Sequence, residues 1–182
     1  MNRIWIIVAV VIGVYLALGA CTMSMAQESL RGKEGAVWNQ NARAIEVLGR
    51  LEKQVSAFMA DRQEVVAQIT EARAGMQNAA KSRDLVELDQ AQRLLGSAIN
   101  VIFEAYPDLS LSVQQTALMD ETAGSINRIV YARQELMNAQ VGYNQSRIFF
   151  FPLQMMYPRQ QVVGEGFDAM APLPASTFGE KQ

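Results

Sequence analysis

This 182-residue sequence contains one cysteine and no histidine, so two residue types that are common in nucleophilic, acid–base and metal sites are almost absent. A catalytic triad with histidine, an internal disulfide and a metal site of four cysteines are therefore excluded. Asp120 and Glu121 are adjacent and would point to different faces of a helix. Glu64 and Glu71 lie seven residues apart on one face, as solvated carboxylates commonly do. The sequence predicts no enzyme activity and no catalytic, cofactor-binding or metal-binding residue.

Cys21 has the most specific chemical context in the sequence. It follows a single cation, Arg3, and an apolar run from Ile4 to Leu18, which is the layout of a secretory signal. The sequence Leu18-Gly19-Ala20-Cys21 resembles a bacterial lipobox, in which the cysteine is lipidated and becomes the first residue of the mature protein. Two or more acyl chains anchor a protein stably. Cys21 is therefore a candidate lipidation site, with residues 1–20 as its signal peptide.

An uncleaved transmembrane helix is the alternative. No charge lies between Arg3 and Glu28, so residues 4–27 are long enough to span a bilayer. Both interpretations tether the chain to a membrane by its N-terminus. With Arg3 on the cytoplasmic side, the rest of the chain is expected on the periplasmic or extracytoplasmic face. We expect residues 21–35 to be a linker.

The charge of the chain restricts its partners. Sixteen basic and eighteen acidic residues give a net charge of −2. A nucleic acid partner is not expected, because binding phosphates requires a clustered positive excess. The expected partners are the membrane, through the N-terminal anchor, and an unidentified envelope protein. The sequence predicts no oligomeric state.

Beyond the anchor, apolar residues recur at steps of three and four, which predicts helices and no strands. Three segments have this period, over about residues 36–76, 84–106 and 112–148. The first could bend at Gly49 or at residues 59–61. Asp84 with Glu87 resembles a capping box, as does Ser112 with Gln115.

Short links between long helices favour antiparallel neighbours. We therefore predict an all-α fold, an elongated antiparallel three-helix bundle over residues 36–157 that follows the N-terminal membrane-targeting segment. The bundle gains a fourth helix if the apolar segment after the third helix packs back. Residues 158–182 are expected to form a poorly ordered tail, because glycine and proline are frequent there.

The segment after the third helix is dense in large apolar side chains. We call five of them the C-terminal apolar cluster: Phe149, Phe150, Phe151, Met155 and Met156. If exposed, the cluster would mark a contact with a protein partner or with the membrane. Alternatively, it closes the open end of the bundle, and the sequence does not decide between the two.

Arg133 is the most conspicuous polar residue on the apolar stripe of the third helix. We expect its guanidinium to pair with Glu104 or Glu121 inside the bundle, and an anionic partner group is the alternative. Asn127 and Asn144 are expected to fix the register of the helices through hydrogen bonds.

Several short motifs resemble those of the bacterial LemA family. They are Glu104-Ala105-Tyr106-Pro107-Asp108-Leu109, Asn127-Arg128-Ile129-Val130-Tyr131-Ala132-Arg133, Tyr143-Asn144 and Phe151-Pro152, with Trp38 early in the first helix. The resemblance covers about residues 28–157. It gives structural roles to the motif residues Tyr106, Pro107, Asn127, Arg128, Arg133, Tyr143, Asn144 and Pro152.

The resemblance implies a membrane-tethered helical bundle of the cell envelope, in a family with no agreed catalytic activity. Residues 42–51 lack the proline that the family usually has in its first helix. The chain is therefore similar to a divergent member, and its first helix is expected to lack the family's bend. The expected function is that of a non-enzymatic scaffold or protein-interaction module. A membrane-organising element whose apolar C-terminal segment contacts lipid is the alternative.

Overall fold

The computed structural model describes residues 2–58, 63–105 and 113–162. These residues form helices α1 (Asn2–Phe58), α2 (Gln63–Ser82), α3 (Leu85–Ala105) and α4 (Val113–Phe149), and a 3-10 turn at Phe151–Leu153. No strand occurs in these three ranges, and the helices pack antiparallel. The predicted all-α antiparallel fold is confirmed.

The first predicted helix is divided differently in the structure. We expected a linker over residues 21–35 and one helix over residues 36–76. Instead, α1 begins at Asn2 and continues to Phe58, and α2 begins at Gln63. Residues 21–35 contain no proline, and Gly32 and Gly35 lie within the helix without ending it. The fourth helix thus comes from this division, whereas the apolar segment after α4 forms only a 3-10 turn.

The helix α1 is continuous across residues 42–51, where the sequence has no proline. Gly49 does not interrupt it. The other expected bend, at residues 59–61, and the predicted cap at Ser112 lie outside the described residues.

Internal contacts divide the chain into two units. Among the described residues, the terminal unit comprises residues 2–36 and 133–162, and the core unit comprises residues 37–58, 63–105 and 113–132. The division falls within α1 and within α4, so the end of α4 belongs to the same unit as the N-terminal part of α1.

In the core unit, α1 and α2 lie antiparallel. The Asn41 side chain donates a hydrogen bond to the carbonyl oxygen of Met76 at 3.0 Å. Glu52, three turns further along α1, accepts hydrogen bonds from Arg73 at 3.0 Å and from Thr70 at 2.9 Å. Apolar side chains from all four helices fill the interior of this unit, including Leu48, Leu51, Val55, Ile69, Met76, Leu88, Leu95, Ile102, Ile126 and Ile129.

The turn between α2 and α3 depends on Arg83 and Asp84. Arg83 has a φ of 57°, and the following N–H donates to the carbonyl oxygen of Ala79 at 3.1 Å, which closes the end of α2. The Asp84 carboxylate accepts hydrogen bonds from two N–H groups in the first turn of α3, at 2.7 and 3.3 Å. Asp84 therefore caps α3 as predicted. In a complete capping box, the Glu87 side chain would accept a hydrogen bond from the Asp84 N–H. Here Glu87 instead accepts from the Ser82 hydroxyl at 3.1 Å, and the Asp84 N–H donates to the carbonyl oxygen of Ala79, so only the Asp84 half of the box forms.

In the terminal unit, the N-terminal part of α1 and the C-terminal part of α4 are also antiparallel. The Lys33 ammonium lies 2.8 Å from the Glu135 carboxylate, and Tyr15 contacts the end of α4. The buried side chains of this unit include Met23, Leu30, Leu136, Tyr143 and Leu153.

Two helical glycines of the core unit form a matched pair for testing the packing of α2 on α3. A Cβ at Gly124 would meet nothing within 4 Å, whereas a Cβ at Gly75 would lie 3.0 Å from the Ala91 Cβ. Gly124→Ala should raise the free energy of unfolding by about 0.5–1 kcal/mol, because it removes backbone entropy from the unfolded chain. Gly75→Ala should raise the free energy of unfolding by less than Gly124→Ala does, because its new methyl group presses α2 away from α3. Denaturant unfolding of the full chain measures both, and equal gains would contradict the close approach.

Candidate functional site

The first sixteen or so described residues of α1 form an apolar stretch that the protein leaves uncovered. The side chains of Ile4, Trp5, Ile7 and Val11 are exposed. Within α1 an 18-residue window has a mean hydropathy of 2.6 and is only 6% buried. By length and composition this helix could cross a membrane, and a signal sequence has the same properties.

The C-terminal apolar cluster lies beside the last turns of this stretch. The Phe150 ring packs against the Tyr15 ring, with centroids 5.4 Å apart. The Tyr15 hydroxyl donates to the Phe149 carbonyl oxygen at 2.9 Å. Phe150 is half-buried, whereas the other four members are exposed, Met155 at 99%. Most of the cluster is therefore a surface, and only Phe150 packs inward.

Gly19 and Leu153 hold the cluster on α1, and sequence reasoning missed this role for both. Both residues are buried. A Cβ at Gly19 would lie 2.7 Å from a ring carbon of Phe150 and 2.8 Å from a methyl carbon of Leu153. Only glycine permits this approach. No local pattern signals the contact, because Gly19 and Leu153 are far apart in the sequence.

Cys21 is exposed on α1, and its thiol is free. It lies two residues beyond Gly19, on the C-terminal side of the contacts with the cluster. Cleavage before Cys21 would remove Tyr15 and Gly19, and with them the packing onto Phe150. The lipoprotein interpretation and this packing therefore cannot both hold in the mature protein.

Three side chains at the end of α4, which we call the backbone clamp, hold the segment that follows the 3-10 turn. Arg147 donates from Nε to the carbonyl oxygen of residue 157 at 2.7 Å, and the Tyr143 hydroxyl donates to that of residue 158 at 3.2 Å. The Asn144 amide pairs with the backbone of Gln160, donating at 2.8 Å and accepting at 3.0 Å. The Tyr143-Asn144 motif thus binds the chain that follows, and residues 158–160, expected to be a loose tail, are held.

The expected pair between Arg133 and Glu121 is excluded by the structure. Both residues lie on α4, twelve positions and about 18 Å apart along its axis. Glu121 instead pairs with Arg50 of α1, with 2.6 Å between nitrogen and oxygen. Arg133 and Asn127 are half-buried and each has an interaction partner, whereas the side chain of Glu104 lies outside the described part of the chain.

The remaining motif residues have simpler surroundings. Arg128 is exposed on α4, and Pro152 is exposed within the 3-10 turn. Trp38 is buried, and the Arg83 guanidinium lies 5.4 Å from the centroid of its ring. Tyr106 and Pro107 fall between α3 and α4, outside the described residues.

The stability that the backbone clamp contributes depends on pH through the Tyr143 hydroxyl. Burial raises the pKa of the Tyr143 hydroxyl, and the Arg147 cation opposes this increase. An unfolded tyrosine titrates near pH 10, so the folded state holds the proton more tightly. This contribution to stability is present below that pH and is lost as pH rises through the folded pKa.

Tyr143→Phe should therefore cost about 1 kcal/mol at pH 7, through the lost hydrogen bond. The difference in stability between wild type and Tyr143→Phe should shrink above about pH 10. Denaturant unfolding of both proteins at pH 7, 9 and 11 measures it. A difference that is constant over this range would show that Tyr143 does not titrate with folding.

Across its described residues the protein belongs to the all-α class, with an apolar N-terminal helix long enough to cross a bilayer. The model of the LemA family matches residues 33–160, and the chain belongs to that family. The matched region begins after the apolar stretch and ends at Gln160, the residue that pairs with Asn144 in the clamp. No curated protein matches the chain.

Proposed function

We propose that this LemA-family protein is a non-enzymatic helical module of the bacterial cell envelope that is tethered to a membrane and binds other proteins. Its anchor is the uncleaved N-terminal part of α1 rather than a lipid on Cys21. In the proposed orientation Arg3 stays on the cytoplasmic side, as the positive n-region of a signal-like segment does, and the folded residues lie on the extracytoplasmic face. The observation that carries this proposal is the exposed apolar stretch that continues without a break into the folded part of α1.

The packing around Gly19 supports retention of the anchor. Tyr15 and Gly19 contact Phe150, and Gly19 also contacts Leu153. A segment that signal peptidase removes contributes nothing to the mature fold, so a fitted contact of this kind favours an uncleaved helix. The residues before Cys21 then serve both as membrane anchor and as part of the terminal unit.

The protein-binding role is supported by the surface of α4 in the core unit. Tyr131 is 68% exposed there, and the exposed motif residue Arg128 lies one helical turn before it on the same face. Tyrosine and arginine are enriched in protein interfaces, where they combine a large apolar area with hydrogen-bonding groups. We place the binding surface on this face of α4.

The anchor is tested by the intact mass of the protein extracted from its native membrane. A full-length mass that is unchanged by Cys21→Ser, apart from the substitution itself, supports the uncleaved helix. A mature chain that begins at lipid-modified Cys21 would overturn the proposed anchor.

The binding role is tested by photo-crosslinking in the same membrane. A photoreactive residue replaces Tyr131, and in a matched control it replaces the exposed Gln145 of the terminal unit. Discrete protein adducts from position 131 that are absent from position 145 support binding through this face. Equal, diffuse labelling from both positions contradicts it.

A further inference from the structure

We propose that the exposed members of the C-terminal apolar cluster, Phe149, Phe151, Met155 and Met156, insert into the bilayer that α1 spans. They would form a second lipid contact beside the transmembrane helix. This inference rests on the proposed uncleaved anchor and adds to it a membrane partner for the cluster.

The length of the apolar run is the first argument. Residues 4–18 extend about 22 Å along a helix, whereas the hydrocarbon core of a bilayer is about 30 Å thick. A span that begins at Arg3 therefore needs about 20 residues and ends near Met23. Tyr15 and Gly19 lie about 18 and 24 Å from Arg3 along the axis, so both are within the thickness of the bilayer.

Contact with α1 sets the depth of the cluster. Phe150 packs on Tyr15 at a centroid distance of 5.4 Å, and both Phe150 and Leu153 press against Gly19. Their neighbours in the 3-10 turn and the end of α4 must share this depth. The exposed phenylalanine and methionine side chains therefore meet lipid where the structure leaves them uncovered.

Charge distinguishes lipid from a soluble partner. Residues 148–158 contain no ionisable acid or base other than Tyr157, and they contact α1 at Tyr15 and Gly19, within its uncharged residues 4–27. Arg147 and Arg159 flank this segment in the sequence. Aromatic side chains with flanking cations are typical of the membrane interface. The cluster thus adds apolar surface beside the membrane-spanning helix. It does so near the end of the apolar run of α1, which is shorter than the hydrocarbon core is thick.

Spin labels on the full chain test this depth in vesicles of phosphatidylethanolamine and phosphatidylglycerol without other proteins. In a Cys21→Ser background, single cysteines replace Met155 of the cluster, Val11 of the proposed span or the exposed Asn138 of α4, which lies about 18 Å from Phe150 along the helix and outside the bilayer. We expect the label at Met155 to be several-fold less accessible to a water-soluble nickel reagent than the label at Asn138. Its accessibility to oxygen should approach that of the label at Val11.

The outcomes separate this inference from the proposed anchor. If the label at Val11 lies in lipid while that at Met155 is as water-accessible as that at Asn138, the inference is wrong and the anchor stands. Protection of Met155 that disappears on dilution with lipid assigns the cluster to a second copy of the chain and also overturns the inference. If the label at Val11 is in water, or the native protein is cleaved before Cys21, both proposals fail.

Discussion

Replacing Gly19 with leucine should detach the C-terminal apolar cluster from α1 and lower the free energy of unfolding by about 3 kcal/mol. Even the first added carbon would lie 2.7 Å from Phe150 and 2.8 Å from Leu153. A leucine adds three further carbons to space that these side chains already fill. Because Leu153 is buried and Phe150 half-buried, neither can move without exposing apolar surface.

Gly13→Leu is the matched control, since a Cβ at Gly13 would meet nothing within 4 Å. Both substitutions put the same side chain into the same apolar helix, so they share any change in helix propensity or membrane partitioning. Chemical denaturation of the full chain in detergent compares them. Equal stabilities of the two variants would show that residue 19 does not pack against the cluster.

Replacing Asn144 with alanine should release the segment that the backbone clamp holds. The substitution removes two hydrogen bonds, at 2.8 and 3.0 Å, and leaves the N–H and carbonyl groups of Gln160 without their side-chain partner. At about 1 kcal/mol for each bond, the local cost is about 2 kcal/mol. The open form of the segment should therefore be populated about thirty-fold more.

Trypsin provides a direct measurement, because it cleaves after Arg159, at the bond that joins Arg159 to Gln160. Cleavage there should accelerate by about thirty-fold if opening is fast and cleavage slow. Gln145→Ala alters the neighbouring exposed side chain and should leave the rate unchanged. Asn144→Asp retains the acceptor but loses the donor, so an intermediate rate is expected. Wild-type cleavage kinetics in Asn144→Ala would refute the clamp.

The clamp shows how far a motif can be interpreted from sequence. Tyr143 and Asn144 were identified as structural motif residues, and the structure shows both bonded to the segment that follows α4. Asn144 was expected to fix the register between helices, yet it binds a backbone beyond them. A buried polar side chain indicates that a hydrogen-bond partner is needed. Which group becomes that partner depends on which segment of the chain folds back beside it.

The helices and the cap of α3 could be predicted because their causes are local. Apolar residues three and four positions apart share a helix face, and Asp84 reaches N–H groups only two and three residues away. The uncharged stretch from Ile4 to Gln27 likewise identified the candidate anchor without any structure. These features depend on neighbours within one or two helical turns, which the sequence displays directly.

Only the tertiary structure decided which distant segments meet. It divided the first predicted helix into α1 and α2, joined the N-terminal stretch to the end of α4, and paired Glu121 with Arg50. It also gave Gly19 a structural role. In the sequence Gly19 resembles part of a signal, whereas in the structure Phe150 and Leu153 pack against α1 at this residue. Such contacts depend on the shapes of surfaces brought together from opposite ends of the chain, and periodicity within a helix carries no information about them.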